Sequence, residues 1–127
     1  AMRGRLAWPV ANGKIVIGFG KHEHPEYVNV FTENNGINIK APSRAIVKVV
    51  YTGKVVGTQI IPGNQNMIII SHGTYYTVYS NIADVTVSRG YEVQAVLTIG
   101  RLGSRNSELH FEIWKEKQRL NPEQWIR

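Results

Sequence analysis

At 127 residues, with 43% hydrophobic and 19% charged side chains, the chain has the size and composition of one folded domain. No run approaches the roughly 18 consecutive apolar residues of a membrane-spanning helix, and the lack of cysteine excludes disulfides, thiolate nucleophiles and thiolate metal sites. The net charge of +6 comes from scattered Lys and Arg rather than a dense block or a basic helix face, which argues against a nucleic-acid interface. The opening Ala1-Met2 looks like a cloning scar, so residues 3–127 are expected to form the domain proper, as the C-terminal part of a longer chain.

From the N-terminus onward the apolar pattern has period two. It runs through KIVIGFG from Lys14, YVNVF from Tyr27, GINIKA from Gly36, AIVKVVY from Ala45, KVVGTQI from Lys54 and NMIIISHG from Asn66. It continues in YYTVYS from Tyr75, VTVSRGYEV from Val85, AVLTIG from Ala95 and LHFEIW from Leu109. Short segments rich in Val, Ile and Tyr, cut by Gly, Asn and Pro, predict strands. No window carries a 3.6-residue stripe, so helix is confined to a turn around NPEQW, Asn121 to Trp125. The expected fold is mainly β, a single antiparallel β-sheet or sandwich with few or no helices. Loops are expected at GKHEHPEY (Gly20 to Tyr27) and IPGNQN (Ile61 to Asn66), where Gly, Pro, His and Asn break the alternation.

Four clusters of polar or aromatic residues invite a functional reading. In NSELHFEIW, strand alternation puts Glu108, His110, Glu112 and Trp114 on one face and Leu109, Phe111 and Ile113 on the other. An ion pair or hydrogen bond between Glu108 and His110 accounts for that pair without a metal. Asn34 and Asn38 share a face if their segment is extended, with Ile37 and Ile39 turned to the core, although Asn-Asn-Gly is equally a hairpin signal. His22 and His24 have an H-x-H spacing but fall in an expected loop beside Pro25, where a solvated role is the default. Tyr75, Tyr76 and Tyr79 are more often sheet-packing residues than sugar platforms, and Trp114 suits partner recognition as an aromatic anchor.

The order WPV (Trp8 to Val10), FG (Phe19, Gly20), NNGINIKAP (Asn34 to Pro42), GKVV, IIISHG (Ile68 to Gly73), TVYSNI, VSRGYEV, IGRLG, ELHFEI and a closing NP resembles the lysostaphin-type (LytM-like) zinc endopeptidases. These enzymes cut peptidoglycan cross-bridges, and the resemblance covers nearly the whole chain. The opening RGRLAWPV and closing NPEQWI are similar in particular to the C-terminal domain of EnvC-type murein hydrolase activators. The fold this implies is the duplicated hybrid motif of the LytM-like domains.

In active members of the family, an H-x-G-x-D motif supplies two zinc ligands and the second His of an H-x-H motif supplies the third. The first His of H-x-H and a His in an I-x-H-G strand assist the attacking water. By resemblance, Asn34 and Asn38 stand at the first two ligand positions, His110 at the third, and Glu108 and His72 at the two assisting positions. A hydrolytic zinc needs three imidazole or carboxylate ligands and one open position, which one histidine and two neutral amides do not supply. The resemblance therefore implies no metal, no cofactor and no catalysis.

It implies instead a degenerate groove of Asn34, Asn38, His72, Tyr75, Glu108, His110 and Trp114 that binds a partner. The EnvC-type resemblance implies that the partner is an N-acetylmuramoyl-L-alanine amidase, activated during cell separation in the periplasm or cell envelope. Two other readings stay open: a module that binds peptidoglycan without cutting it, and a divergent zinc endopeptidase that rebuilds its site from Glu108, His110 and His22.

Overall fold

A computed structural model of the chain describes residues 3–23, 28–29, 31–59 and 66–127. Its strands are β1 (Lys14–Ile17), β2 (Gly20–Glu23), β3 (Phe31–Asn34), β4 (Ile37–Lys40), β5 (Ile46–Lys48), β6 (Gly53–Gln59) and β7 (Asn66–Ser71). They are followed by β8 (Tyr75–Ile82), β9 (Asp84–Val85), β10 (Glu92–Val93), β11 (Thr98–Arg101), β12 (Glu108–Lys115) and β13 (Gln118–Leu120). The pairs are antiparallel, and the expectation of a mainly β domain holds.

The main sheet has the order β1-β4-β12-β8-β7-β6-β10, with β13 continuing along the edge of β12 beyond β4. Burial in β12 alternates from Glu108 to Trp114, with Leu109, Phe111 and Ile113 in the core and Glu108, His110, Glu112 and Trp114 on the open face. The register carries this division sideways, because Phe111 lies opposite Ile37 on β4 and Tyr79 on β8, and Tyr79 lies opposite Ile68 on β7. One face of the sheet is thus a continuous apolar layer, with the Phe111 and Tyr79 ring centroids 5.3 Å apart.

A second sheet, β5-β11-β9, covers that layer with Val47 and Ile99, joined by Val49, Val50 and Leu102 from the adjoining turns. Full burial of side chains of this size stabilises the fold by about 1.5–3 kcal/mol each. The chain ends close the core: Leu6 pairs in parallel with Ile126, and the Leu6 N–H donates to the Trp125 carbonyl at 3.0 Å. The expected NPEQW turn is a 3-10 turn over Pro122–Gln124. Asn121 caps it, its Oδ1 accepting from the Glu123 N–H at 3.1 Å, and Pro122 occupies the first position, where its missing N–H costs nothing.

Several local expectations are corrected. Half of the expected GKHEHPEY loop is strand β2, which pairs with β3 from Gly20↔Asn34 to Glu23↔Phe31 in a separate ribbon. His22 is therefore on a strand, while His24 to Tyr27 lie outside the described residues. Of the described residues of YVNVF, Phe31 is in a strand and Val28 and Asn29 form a turn, and VTVSRGYEV holds the last residue of β9 and the two-residue β10. Ile61 to Gln65 of the second expected loop lie outside the described residues.

Asn-Asn-Gly does not make a hairpin. β3 pairs with β2 and β4 pairs with β1 and β12, so Asn35 and Gly36 carry the chain from the ribbon to the main sheet. The crossing passes so close to β12 that a Cβ on Gly36 would lie 2.1 Å from the Phe111 carbonyl oxygen. Only glycine fits there.

Candidate functional site

The open face of the main sheet gathers the polar residues of β12 and β4. His110 lies opposite Asn38 on one side and Ser80 on the other, and Trp114 lies opposite Tyr76 and Arg119. The β2–β3 ribbon flanks this floor, forming a cavity of about 440 Å³ lined by Ile17, His22, Thr32, Asn34, Asn38 and His110. On the other flank, Met67, Ile69, Tyr76, Val78 and Trp114, with Glu112 and Glu116, line a mostly apolar trough of about 340 Å³. A wider cavity of about 790 Å³ opens between Phe19, Asn34, Asn35 and the β12–β13 hairpin, where Lys115, Lys117 and Arg119 sit.

Within the floor the side chains bond one another. Asn38 Nδ2 donates to Glu108 Oε2 at 2.8 Å, while Asn38 Oδ1 accepts from Asn34 Nδ2 at 3.1 Å and faces His110 Nδ1 at 2.9 Å. The Glu108 carboxylate can only accept, and Asn34 Nδ2, which also donates to the Gly18 carbonyl at 3.2 Å, can only donate, so both contacts fix the same orientation of the Asn38 amide. His110 Nε2 lies 2.7 Å from Glu112 Oε2, and Glu112 Oε1 accepts from the Trp114 indole at 2.7 Å. Both ring nitrogens of His110 therefore face oxygen acceptors. Asn81, at φ 73°, adds a bond from its Nδ2 to the Glu108 carbonyl at 2.6 Å.

The hydrogen bond from His110 holds the Glu112 carboxyl below the ordinary carboxylate range; burial opposes the shift, and the Trp114 bond and nearby Arg119 add to it. The Arg119 guanidinium stands 6.0 Å from the centre of the Trp114 ring and donates from Nη1 to Asn35 Oδ1. Among the described residues no buried side-chain polar atom lacks a partner.

These residues do not fit the zinc held by the active enzymes that the sequence resembles. Asn34 and Asn38 offer carbonyl oxygens suited to hard cations, and the His110 nitrogens are turned to Asn38 and Glu112. His22 lines the same cavity, but its Nε2 faces the Gly18 carbonyl at 2.9 Å.

The structure thus brings together Asn34, Asn38, Glu108, His110 and Trp114 from the expected groove. It does not bring His72 or Tyr75 there. His72 follows the core-facing series Ile68 and Ile70, and its ring lies 2.9 Å from the Thr52 carbonyl and 2.8 Å from Thr77 Oγ1. Burial pulls its pKa down, with the bond to Thr52 opposing. Tyr75 packs on Trp125, ring centroids 5.3 Å apart, on the same core-facing side. Tyr79 is fully buried, as expected of a packing residue. The expected pairing of Glu108 with His110 is also corrected: Glu108 takes Asn38, and Glu112 takes His110. Alternation had marked Glu112 as groove-facing, but nothing in the sequence distinguished it from Glu108 as the partner of His110.

Residues 32–122 match peptidase family M23. Among curated relatives, murein hydrolase activator EnvC of Escherichia coli (strain K12) is 27% identical over 131 residues, covering 99% of this chain and 30% of that protein. Murein hydrolase activator NlpD of Salmonella dublin is 29% identical over 124 residues, covering 94% of this chain and 30% of that protein. The chain thus spans about 30% of the length of these two relatives. Among solved structures, Helicobacter pylori Csd3 superposes with a TM-score of 0.85 at 24% identity, over 98% of this chain and 35% of its own. A zinc containing peptidase from Vibrio cholerae superposes with a TM-score of 0.80 at 26% identity, over 95% of this chain and 39% of its own. With the fold, the order of motifs and most of its length in agreement, the chain belongs to peptidase family M23.

Proposed function

We propose that this domain is a catalytically inactive member of its family that binds an N-acetylmuramoyl-L-alanine amidase and activates it during cell separation, in the periplasm or cell envelope. The groove of Asn34, Asn38, Glu108, His110 and Trp114 is its contact surface. Two murein hydrolase activators among the relatives support the regulatory role. The observation that carries the loss of catalysis is the state of His110, whose two ring nitrogens face Asn38 and Glu112 while the neighbouring ligand positions hold neutral amides. Activation by binding requires the domain to prefer the open amidase over the closed one. A shift of the amidase from 1:99 to 99:1 needs a preference of about 10⁴-fold.

Dye release from labelled peptidoglycan tests the proposal, with the domain alone, an amidase alone, and the two mixed. Release is expected only in the mixture. Release by the domain alone would overturn the reading in favour of a peptidase with a rebuilt site. Retention of the domain on purified sacculi, with no effect on any amidase, would favour a peptidoglycan-binding module.

A further inference from the structure

Trp114 is half-buried, so packing alone does not hold its indole in place. Three groups around it do. Glu112 Oε1 accepts the indole N–H at 2.7 Å, Arg119 stands 6.0 Å from the ring centre, and Tyr76 lies directly across on β8. The second oxygen of the same carboxylate takes His110 Nε2 at 2.7 Å, and His110 is held in turn through Asn38 to Glu108.

The geometry points to Glu112 as the positioning residue of this groove, a carboxylate that clasps His110 with one oxygen and the Trp114 indole with the other and so presents the aromatic wall of the trough to the partner. The inference rests on the proposed reading of the groove as a partner surface. It gives His110 a task that needs no metal: the ring is a donor that sets the carboxylate. Charge-assisted bonds of this kind are about twice as strong as neutral ones. A Trp fixed before binding loses less rotamer freedom when a partner docks, so Glu112 acts on affinity through the indole it holds.

The clasp depends on length more than on charge. A Gln at position 112 still reaches both neighbours, its carbonyl accepting from Trp114 while its amide donates to a neutral His110 ring whose other nitrogen still donates to Asn38. An Asp is one methylene too short to span both. The test is a ¹H–¹⁵N spectrum in which the Trp114 indole signal is identified by its loss in Trp114→Phe, combined with the domain concentration needed for half-maximal dye release in the amidase mixture.

Glu112→Ala and Glu112→Asp should move the Trp114 indole signal and raise the half-maximal concentration about tenfold, the size of a moderate interface contact. Glu112→Gln should keep both near wild type. His110→Ala should move the same indole signal, although no hydrogen bond joins the two rings directly. An unmoved indole signal in Glu112→Ala would overturn the inference, as would a Glu112→Gln variant as defective as Glu112→Ala. If the indole signals move as expected but the wild-type domain activates no amidase, the clasp stands and the reading of the partner falls.

Discussion

Replacing Tyr79 with Phe removes one oxygen from a side chain with 0% exposure, and the structure says what that oxygen does. The Val50 N–H donates to the Tyr79 hydroxyl at 3.1 Å, Thr77 Oγ1 lies 2.9 Å from that hydroxyl, and His72 Nε2 lies 2.8 Å from Thr77 Oγ1. The direction of the chain follows from its ends. His72 Nδ1 faces the Thr52 carbonyl at 2.9 Å and must donate, which leaves Nε2 as an acceptor in the neutral ring. Thr77 then donates to His72, and Tyr79 donates to Thr77. With Phe at position 79 the Val50 N–H loses its acceptor inside the core, while Thr77 keeps its bond to His72. One buried donor left without a partner costs about 1–3 kcal/mol. A loss near 2 kcal/mol corresponds to a melting midpoint lower by roughly 8 °C, at about 4 °C per kcal/mol for a domain of this size. Urea unfolding followed by tryptophan fluorescence measures it, with an unchanged slope expected. A loss below about 0.5 kcal/mol, the size of an ordinary surface substitution, would refute the reasoning.

Acid should destabilise the domain in two stages. His72 and Glu112 both have lowered pKa values in the folded state, so the unfolded chain binds their protons first and their stabilising effects are present only at higher pH. The His72 contribution should fade as pH falls below about 6.5 and the Glu112 contribution below about 4.5, and the gap in urea midpoint between wild type and His72→Ala should narrow between pH 7 and 5. Trp114→Ala and His72→Ala should separate function from stability, because the two residues lie on opposite faces of the sheet. Trp114→Ala should weaken amidase activation with a small change in melting midpoint, and His72→Ala should lower the midpoint with a small change in activation.

How much of the fold could be read from the sequence depends on polarity contrast along each strand. In β12 the contrast is complete, since Glu, His, Glu and Trp alternate with Leu, Phe and Ile, and the alternation gives the right face for every residue. In β7 it is absent, because Met67 to Ile70 are all apolar and nothing marks Ile68 and Ile70 as the buried pair. His72 inherits that ambiguity and turns out to follow the buried pair. Tyr75 sits at the start of a similar run, in which Tyr75, Thr77 and Tyr79 differ little in character from Tyr76 and Val78. The β2–β3 ribbon is missed for the opposite reason. Gly20 to Glu23 is polar on both faces and buries little, so it carries no period-two signal and reads as loop.

That Asn34, Asn38, Glu108, His110 and Trp114 lie together could be read from the sequence, but how they bond could not, because a partner choice between Glu108 and Glu112 is a tertiary decision. Each stands two positions from His110, and only the strand alongside breaks the tie. β4 places Asn38 opposite His110, within reach of the Glu108 carboxylate, and that amide occupies Glu108 and leaves Glu112 for the imidazole. The same contact fixes which end of the Asn38 amide faces His110, so that Nδ1 of the ring meets an oxygen. The identities in the groove are therefore interdependent. Changing Asn38 alone to Asp would set one carboxylate against another at the 2.8 Å separation that Asn38 and Glu108 now share, so a neutral amide at position 38 and a carboxylate at position 108 belong together. A groove bonded in this way has its polar groups satisfied by one another, and what it offers outward is the trough and the indole that Glu112 holds at its wall.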